Sequence, residues 1–600
     1  MKRRSCVVAG TLLALLVVVV FSSWCLGEEP KLIPRSVIFG NPEKTLPAVS
    51  PDGKMMAYLA PVDDVINVWV KTIGKEDDRV VTKDTNRGII RYFWGGDSQH
   101  IMYLQDKGGN ENWLLYDVDL ATGDERALTP YENVQVEVVG QDKHFPSHLV
   151  IAMNKDNPQL HDVYHLDLKT GEITEVAKNP GNVVGWLADN YLQVRVALGI
   201  NAEGGMDMLY RGAGSDEWKK MATWGSEDNL TTAPVAFSKD GKSLYMIDSR
   251  DANAARLVRL DIETGAKTVL AEDSLYDVSG VMINPDTYEV EAVAFTKDRD
   301  EWKVLDPAVK ADFDALRKIH EGDFAVSSRD DADKTWIVHY TVDNGPVPFY
   351  AYDRGTRKGT FLFYSRPVLQ QYTLAPMEPV AFKSRDGLTV HGYITYPPGL
   401  PRKNLPMVLN VHGGPWYRDT WGYNPEAQWL ANRGYVCLQV NFRGSTGYGK
   451  AFVNAGDREW GGKMHDDLID AVNWATSQGI ADPKRIAIYG GSYGGYAALV
   501  GATFTPDVFA CAVDMVGPSN LISFLETVPP YWTAALQMFY KRIGNPKTEP
   551  DFLKARSPLF KVDQIKIPML IAQGANDPRV NKAESEQIVA AMKAKGIDNE

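Results

Sequence analysis

Cysteine is scarce: four residues in 600, and two of them, Cys6 and Cys25, fall in the first 27 positions. Cys437 and Cys511 remain, each inside an apolar strand-like run (GYVCLQV, FACAVDM), where a buried thiol is the expected state. A disulfide scaffold is thereby excluded, and a chain this long has core enough to fold without one. Positive charge is also short, with 64 Lys and Arg against 77 Asp and Glu, which argues against a nucleic-acid partner. Long hydrophobic runs are missing beyond residue 27, so no second membrane segment is expected. Histidine is rare as well, and none of the ten follows His465.

The ordinary remainder, 44% hydrophobic, 24% charged and 10% aromatic, marks a folded chain. Residues 1–27 stand apart. Lys2, Arg3 and Arg4 precede an apolar run from Val7 to Phe21, and small residues follow before Glu28-Glu29-Pro30. That is the anatomy of a secretory signal peptide, with an uncleaved membrane anchor as the alternative. In both cases the body is expected to be exported to the periplasm or the medium.

Residues 28–370 read as short alternating strands broken by Gly, Asp and Asn. Asp119-Leu-Ala-Thr-Gly123, Asp167-Leu-Lys-Thr-Gly171 and Asp261-Ile-Glu-Thr-Gly265 are copies of one turn, and Tyr352-Asp353-Arg354-Gly355 is a weaker copy. Their spacing fits a period of roughly 47 residues. Extrapolation places further units at Lys71, Gly214 and Asp306, seven in all. A strand-rich repeat of that length predicts a seven-bladed β-propeller. His161 and His165 mimic a metal-binding pair, but on a blade strand their side chains stand about 13 Å apart, too far to share an ion. No metal site and no cofactor are expected.

After Pro379 the period changes. Strands are expected at 406–411, 435–440, 485–489, 509–515 and 568–572, and a helix at 466–476, the alternation of a mostly parallel sheet with helices on both faces. Gly490-Gly-Ser492-Tyr-Gly494 follows one strand and opens a helix, the context of a nucleophile elbow with Ser492 as nucleophile. His412-Gly413-Gly414-Pro415 follows another strand, where glycines let backbone N–H groups approach a developing oxyanion, with the N–H of Tyr493 as the second donor. His412 itself is expected to be a structural loop residue. Asp577, in GANDPRV, occupies the expected place of the acid. Gly444-Ser-Thr-Gly-Tyr-Gly449-Lys450 nearly matches a phosphate loop, but Ala451 stands where Mg²⁺ chemistry needs Ser or Thr, so a tight loop on the active-site side is expected.

The segments HGGPWYRDTWGYN, NFRGSTGYGKAF, GGKMHDDLIDAVNWA, YGGSYGGYAALV and GANDPRV closely resemble the prolyl oligopeptidase family of serine peptidases, in particular its acylaminoacyl-peptidase and dipeptidyl-peptidase-like branch. The resemblance implies an α/β-hydrolase domain over 371–600, catalysis by Ser492 and Asp577, and oxyanion binding by Tyr493, Gly413 and Gly414. It also implies an apolar pocket around Tyr531 and Trp532, and a substrate-orienting role for Arg579. Short peptides would be the substrates. The family's histidine lies some 30–40 residues beyond the acid, past residue 600. The expectation is thus of a C-terminally truncated hydrolase domain, lacking its last strand and histidine loop, inert as it stands, with an exposed sheet edge prone to aggregation. A carboxylesterase, or a non-catalytic propeller with a degenerate hydrolase, are the alternatives. No acidic pair stands out to anchor a free amino terminus, and dipeptide release, acyl-peptide release and oligomeric state stay open.

Overall fold

A computed structural model describes residues 31–597. The expected signal segment and Cys6 and Cys25 lie outside the described residues. Among the described residues no helix is long and apolar enough to cross a membrane.

Seven antiparallel sheets follow one another along the chain, at 45–80, 91–127, 136–177, 183–224, 233–271, 278–304 and 323–364. Each is a propeller blade. All have four strands except the sixth, which has three. The helix Lys310–Leu316 stands in place of its fourth strand, packing Phe313 and Leu316 against Trp336 of blade 7. That substitution explains why the repeat fades near Asp306.

The second strand of each blade packs against neighbouring blades on both faces and is largely apolar at its centre. His148–Asn157 buries six consecutive residues, and Val290–Thr296 likewise. Cores are therefore shared between blades: Met102, Leu104 and Leu115 of blade 2 pack with Leu149, Ile151 and Met153 of blade 3. The ring closes by packing of Val49, Met56 and Tyr58 against Ile337, and by the Ser328 hydroxyl accepting the Val49 amide at 3.1 Å.

The repeated turns join third to fourth strands. The Asp119 carboxylate accepts the amides of Ala121 and Thr122, Asp167 those of Lys169 and Thr170, and Asp261 that of Thr264. Gly123, Gly171 and Gly265 then take φ of 76°, 75° and 70°, the left-handed region that glycine enters without the strain other residues bear. In the weaker copy Asp353 accepts Thr356, but the left-handed position falls on Arg357 at φ 54° and not on Gly355.

The hydrolase domain is a seven-stranded sheet. Its strands are β1 (Met377–Lys383), β2 (Thr389–Thr395), β3 (Leu405–Val411), β4 (Val436–Asn441), β5 (Ala481–Gly491), β6 (Cys511–Met515) and β7 (Met569–Ala572). The order across the sheet is β1-β2-β4-β3-β5-β6-β7, antiparallel at β1-β2-β4 and parallel from there on. The antiparallel pair β1-β2 was not legible in the alternation of strand and helix. β7 is the edge strand among the described residues, and Leu570 on it is 42% exposed.

Residues 31–39 pack on this domain before the chain enters blade 1. Ile33, Ile38 and Leu369 contact Trp429, and the Ile33 amide donates to Asn432 at 2.7 Å. Across the interface, Lys450 donates to Asp228 at 2.7 Å and to the Ser249 carbonyl at 2.9 Å, and the Gly449 amide donates to Asp277. The loop that nearly matches a phosphate motif thus docks the hydrolase on blades 4 to 6, and its lysine serves a propeller aspartate.

Candidate active site

Ser492 sits between β5 and the helix α1 (Tyr493–Phe504), with φ 56° and ψ −118°. A non-glycine residue held there stores about 1–3 kcal/mol of strain. Tight packing enforces it: a Cβ on Gly490 would lie 2.5 Å from the Val411 carbonyl oxygen, and one on Gly494 2.0 Å from the same atom. Hence the two flanking glycines of the motif. The Ser492 amide donates to the Met515 carbonyl at 2.8 Å, fixing the turn against β6.

Tyr493 is the first residue of α1, where a helix leaves its N–H without an intrahelical acceptor. Its side chain is buried against Phe442, Trp460 and Tyr496. The turn after β3 brings Gly413 alongside: its ideal Cβ would stand 3.4 Å from Ser492 Cβ. Gly414 follows with φ 116°. The structure thus brings together Ser492, Tyr493 and the Gly413–Gly414 turn.

His412 is buried, stacked on Phe442 at 4.5 Å, with Nε2 bonded to Ser445 Oγ at 3.0 Å. Burial pushes its pKa down to about 4, so the ring stays neutral and serves the loop. Asp577 follows β7. Its Oδ1 accepts the amides of Arg579 and Val580 at 2.9 and 3.0 Å, which orients the carboxylate. Ser492 and Asp577 stand on loops at the same end of the sheet, with β6 between their strands. No hydrogen bond links them to each other or to a histidine among the described residues.

Trp532 packs edge-on to Phe539 at 5.6 Å, and Phe539 stacks on Trp416 at 5.8 Å, an aromatic wall two residues beyond Gly414. Tyr531 meets Trp532 edge-on at 6.4 Å, but its hydroxyl turns to the propeller. Its hydroxyl donates to Glu111 Oε2 at 2.9 Å, and Arg579 Nε donates to the same oxygen at 2.9 Å. Glu111 belongs to the propeller, in the loop between the second and third strands of blade 2, and adopts φ 59°. Beside it, the Gly108 carbonyl accepts the Asn576 amide at 2.9 Å. Its Oε1 bonds to no described residue. Nothing in the run GGNENW marks Glu111 by spacing or motif, because its partners lie over 400 residues away.

Beneath the elbow, on β6, Asp514 is fully buried. Its Oδ1 accepts the Gly517 amide at 2.8 Å, and Oδ2 has no partner. Burial raises its pKa to about 8.

Residues 421–600 match the family model described as the prolyl oligopeptidase family. The dipeptidyl aminopeptidase BIII of Pseudoxanthomonas mexicana is 48% identical over 577 residues, covering 94% of this chain and 84% of that protein. The chain belongs to the prolyl oligopeptidase family. Dipeptidyl peptidase family member 6 of Caenorhabditis elegans is 34% identical, with 94% and 82% covered. A puromycin-hydrolyzing peptidase of Mycobacterium tuberculosis shares the fold at TM-score 0.75 and 20% identity, covering 95% of this chain and 92% of that one. The chain is thus a serine peptidase-family member with a propeller-plus-hydrolase architecture.

Proposed function

We propose that this chain carries the substrate-binding and nucleophilic parts of an exported serine exopeptidase that removes dipeptides from free amino termini. Ser492 Oγ attacks the second peptide carbonyl. The N–H groups of Tyr493 and the Gly413–Gly414 turn hold the oxyanion, and Asp577 orients the imidazole that takes the serine proton. The acyl-enzyme then hydrolyses. No histidine among the described residues hydrogen-bonds to Ser492 or Asp577, and His412 is engaged by Ser445.

Glu111 is the observation that carries the choice of substrate. It brings one propeller carboxylate to the aromatic wall, held by Tyr531 and Arg579 through Oε2. Oε1 is left for a substrate ammonium. An acylated amino terminus has no charge to place there. The names of the two relatives above support the same reading.

Full-length protein should take a fluorophosphonate label at Ser492 and cleave free-amine dipeptidyl substrates in preference to N-acetylated ones. A charge-assisted bond is worth about 1.5–3 kcal/mol, so Glu111→Gln should lower kcat/KM for free-amine substrates about 10–100-fold. Preference for acetylated substrates, with Glu111→Gln silent, would turn the reading to acyl-peptide release. No label would remove the peptidase reading altogether.

A further inference from the structure

The face of the hydrolase sheet under the helix Pro425–Ala431 carries an unusual run of polar side chains. Thr395 on β2 is directly opposite Cys437 on β4, and Gln439, two residues on, points to the same face. Asn410 on β3 pairs with Gln439 on one side and with Tyr489 on β5 on the other. Two carboxylates close over this row. Glu426 accepts Asn410 at 2.9 Å and Tyr489 at 2.6 Å, and Asp419 Oδ1 accepts Gln439 Nε2 at 2.9 Å.

All these partners are neutral. The nearest guanidinium, that of Arg418, spends its bonds on the carbonyls of Thr296, Lys297 and Asp419 and on the Tyr448 hydroxyl. Two half-buried carboxylates without a counter-charge are costly unless an ion or a proton matches them. Three oxygens in the same row are shielded from solvent and have no hydrogen-bond partner: Asp419 Oδ2, Gln439 Oε1 and Thr395 Oγ1. Gln439 and Thr395 are 2% and 1% exposed, so neither can turn to bulk water.

We propose that these three oxygens form a site for a hard cation. Apart from the Cys437 thiol on the same face, the donors are oxygens, one carboxylate in contact and a second behind it, a set that suits Na⁺, K⁺ or Ca²⁺. Entry is available, because Asp419 also lines a cavity of about 840 Å³ between residues 417–424 and blades 1, 2 and 7. A second carboxylate cluster, Asp156, Asp162 and Glu175 on blade 3, differs in kind, since Lys178 already lies within 3.7 Å of all three.

The site bears on the peptidase centre through the backbone. Asp419 ends the run that begins at Gly413 beside Ser492, and the Asn441 side chain clamps both its N–H, at 2.7 Å, and its C=O, at 3.0 Å. A bound cation ties that run to β4, which makes Asp419, Gln439 and Thr395 positioning residues.

The test uses full-length protein stripped with a chelator and dialysed into choline chloride. Na⁺, K⁺ and Ca²⁺ are then added separately at equal ionic strength. Melting temperature and bound metal per chain are read together. One cation should bind at one per chain and raise the hydrolase melting temperature by about 2 °C or more at saturation. Asp419→Asn and Thr395→Val should each remove most of that increment. Should Asp419→Asn fail to fold, Thr395→Val decides alone, being close to isosteric. Identical melting curves in all four salts would overturn the proposal, as would an increment that survives both substitutions.

Discussion

Asp514 lies at the centre of the hydrolase domain with one oxygen on the Gly517 amide and the other on nothing. A Cβ on Gly495 would stand 2.3 Å from that carboxyl, so it touches the first turn of α1, the helix that follows Ser492. Burial is the first cause of its raised pKa, and the single amide only partly offsets it. The sign follows from linkage. In the unfolded chain the group ionises near pH 4, whereas in the folded protein it keeps its proton to about pH 8. The stability it contributes is therefore whole below pH 4 and is lost steadily as pH rises to 8, after which it changes no further. At about 1.4 kcal/mol per unit, the full loss is on the order of 5 kcal/mol. Water penetration and local relaxation act to reduce it. Asp514→Asn keeps the shape and the acceptor for Gly517 but has no proton to lose. Denaturant unfolding of wild type and variant, followed from pH 4.5 to 9, gives two curves. Their difference cancels every other titrating group common to both. Expected is a difference that moves in the variant's favour up to about pH 8 and then levels. Parallel curves across that range would refute the assignment of a neutral, buried acid at this position.

Two further outcomes follow from packing. Gly494→Ala puts a methyl group 2.0 Å from the Val411 carbonyl oxygen, backbone that cannot move aside cheaply. It should cost about 1–3 kcal/mol in denaturant unfolding and abolish fluorophosphonate labelling of full-length protein, whereas Gly479→Ala, whose Cβ meets nothing within 4 Å, should leave labelling intact. Arg542 is 1% exposed and bridges the domains, donating to Asp457 at 2.6 Å and to Asn229 of the propeller at 2.8 Å. Arg542→Ala strands Asp457 and should cost about 3–5 kcal/mol, visible as a lower melting temperature and faster proteolysis at the domain interface. An unchanged melting temperature would mean that the interface holds without it.

What the sequence disclosed was whatever local chemistry writes into contiguous residues. The Asp-x-x-Thr-Gly turns were legible because one aspartate must accept successive amides and one glycine must turn left-handed, a demand met within five residues. The elbow was legible for the same reason, since Gly490 and Gly494 both clear a single carbonyl. Blade 6 was faint because a helix took over its fourth strand, and the packing of Phe313 on Trp336 that allows this involves no motif. The edge pair β1-β2 escaped because strand–helix alternation signals parallel strands only. Glu111 could not be found at all. Its meaning lies in Tyr531 and Arg579, which the fold alone carries to it across two domains. Asp419 and Gln439 are of the same kind: ordinary in sequence, and significant only once the sheet puts two carboxylates over a row of unpaired oxygens. In this chain the proposed reacting groups sit on short, self-contained motifs. The residues that would select a substrate or steady the site depend on tertiary contact, and physical reading of the fold is the only route to them.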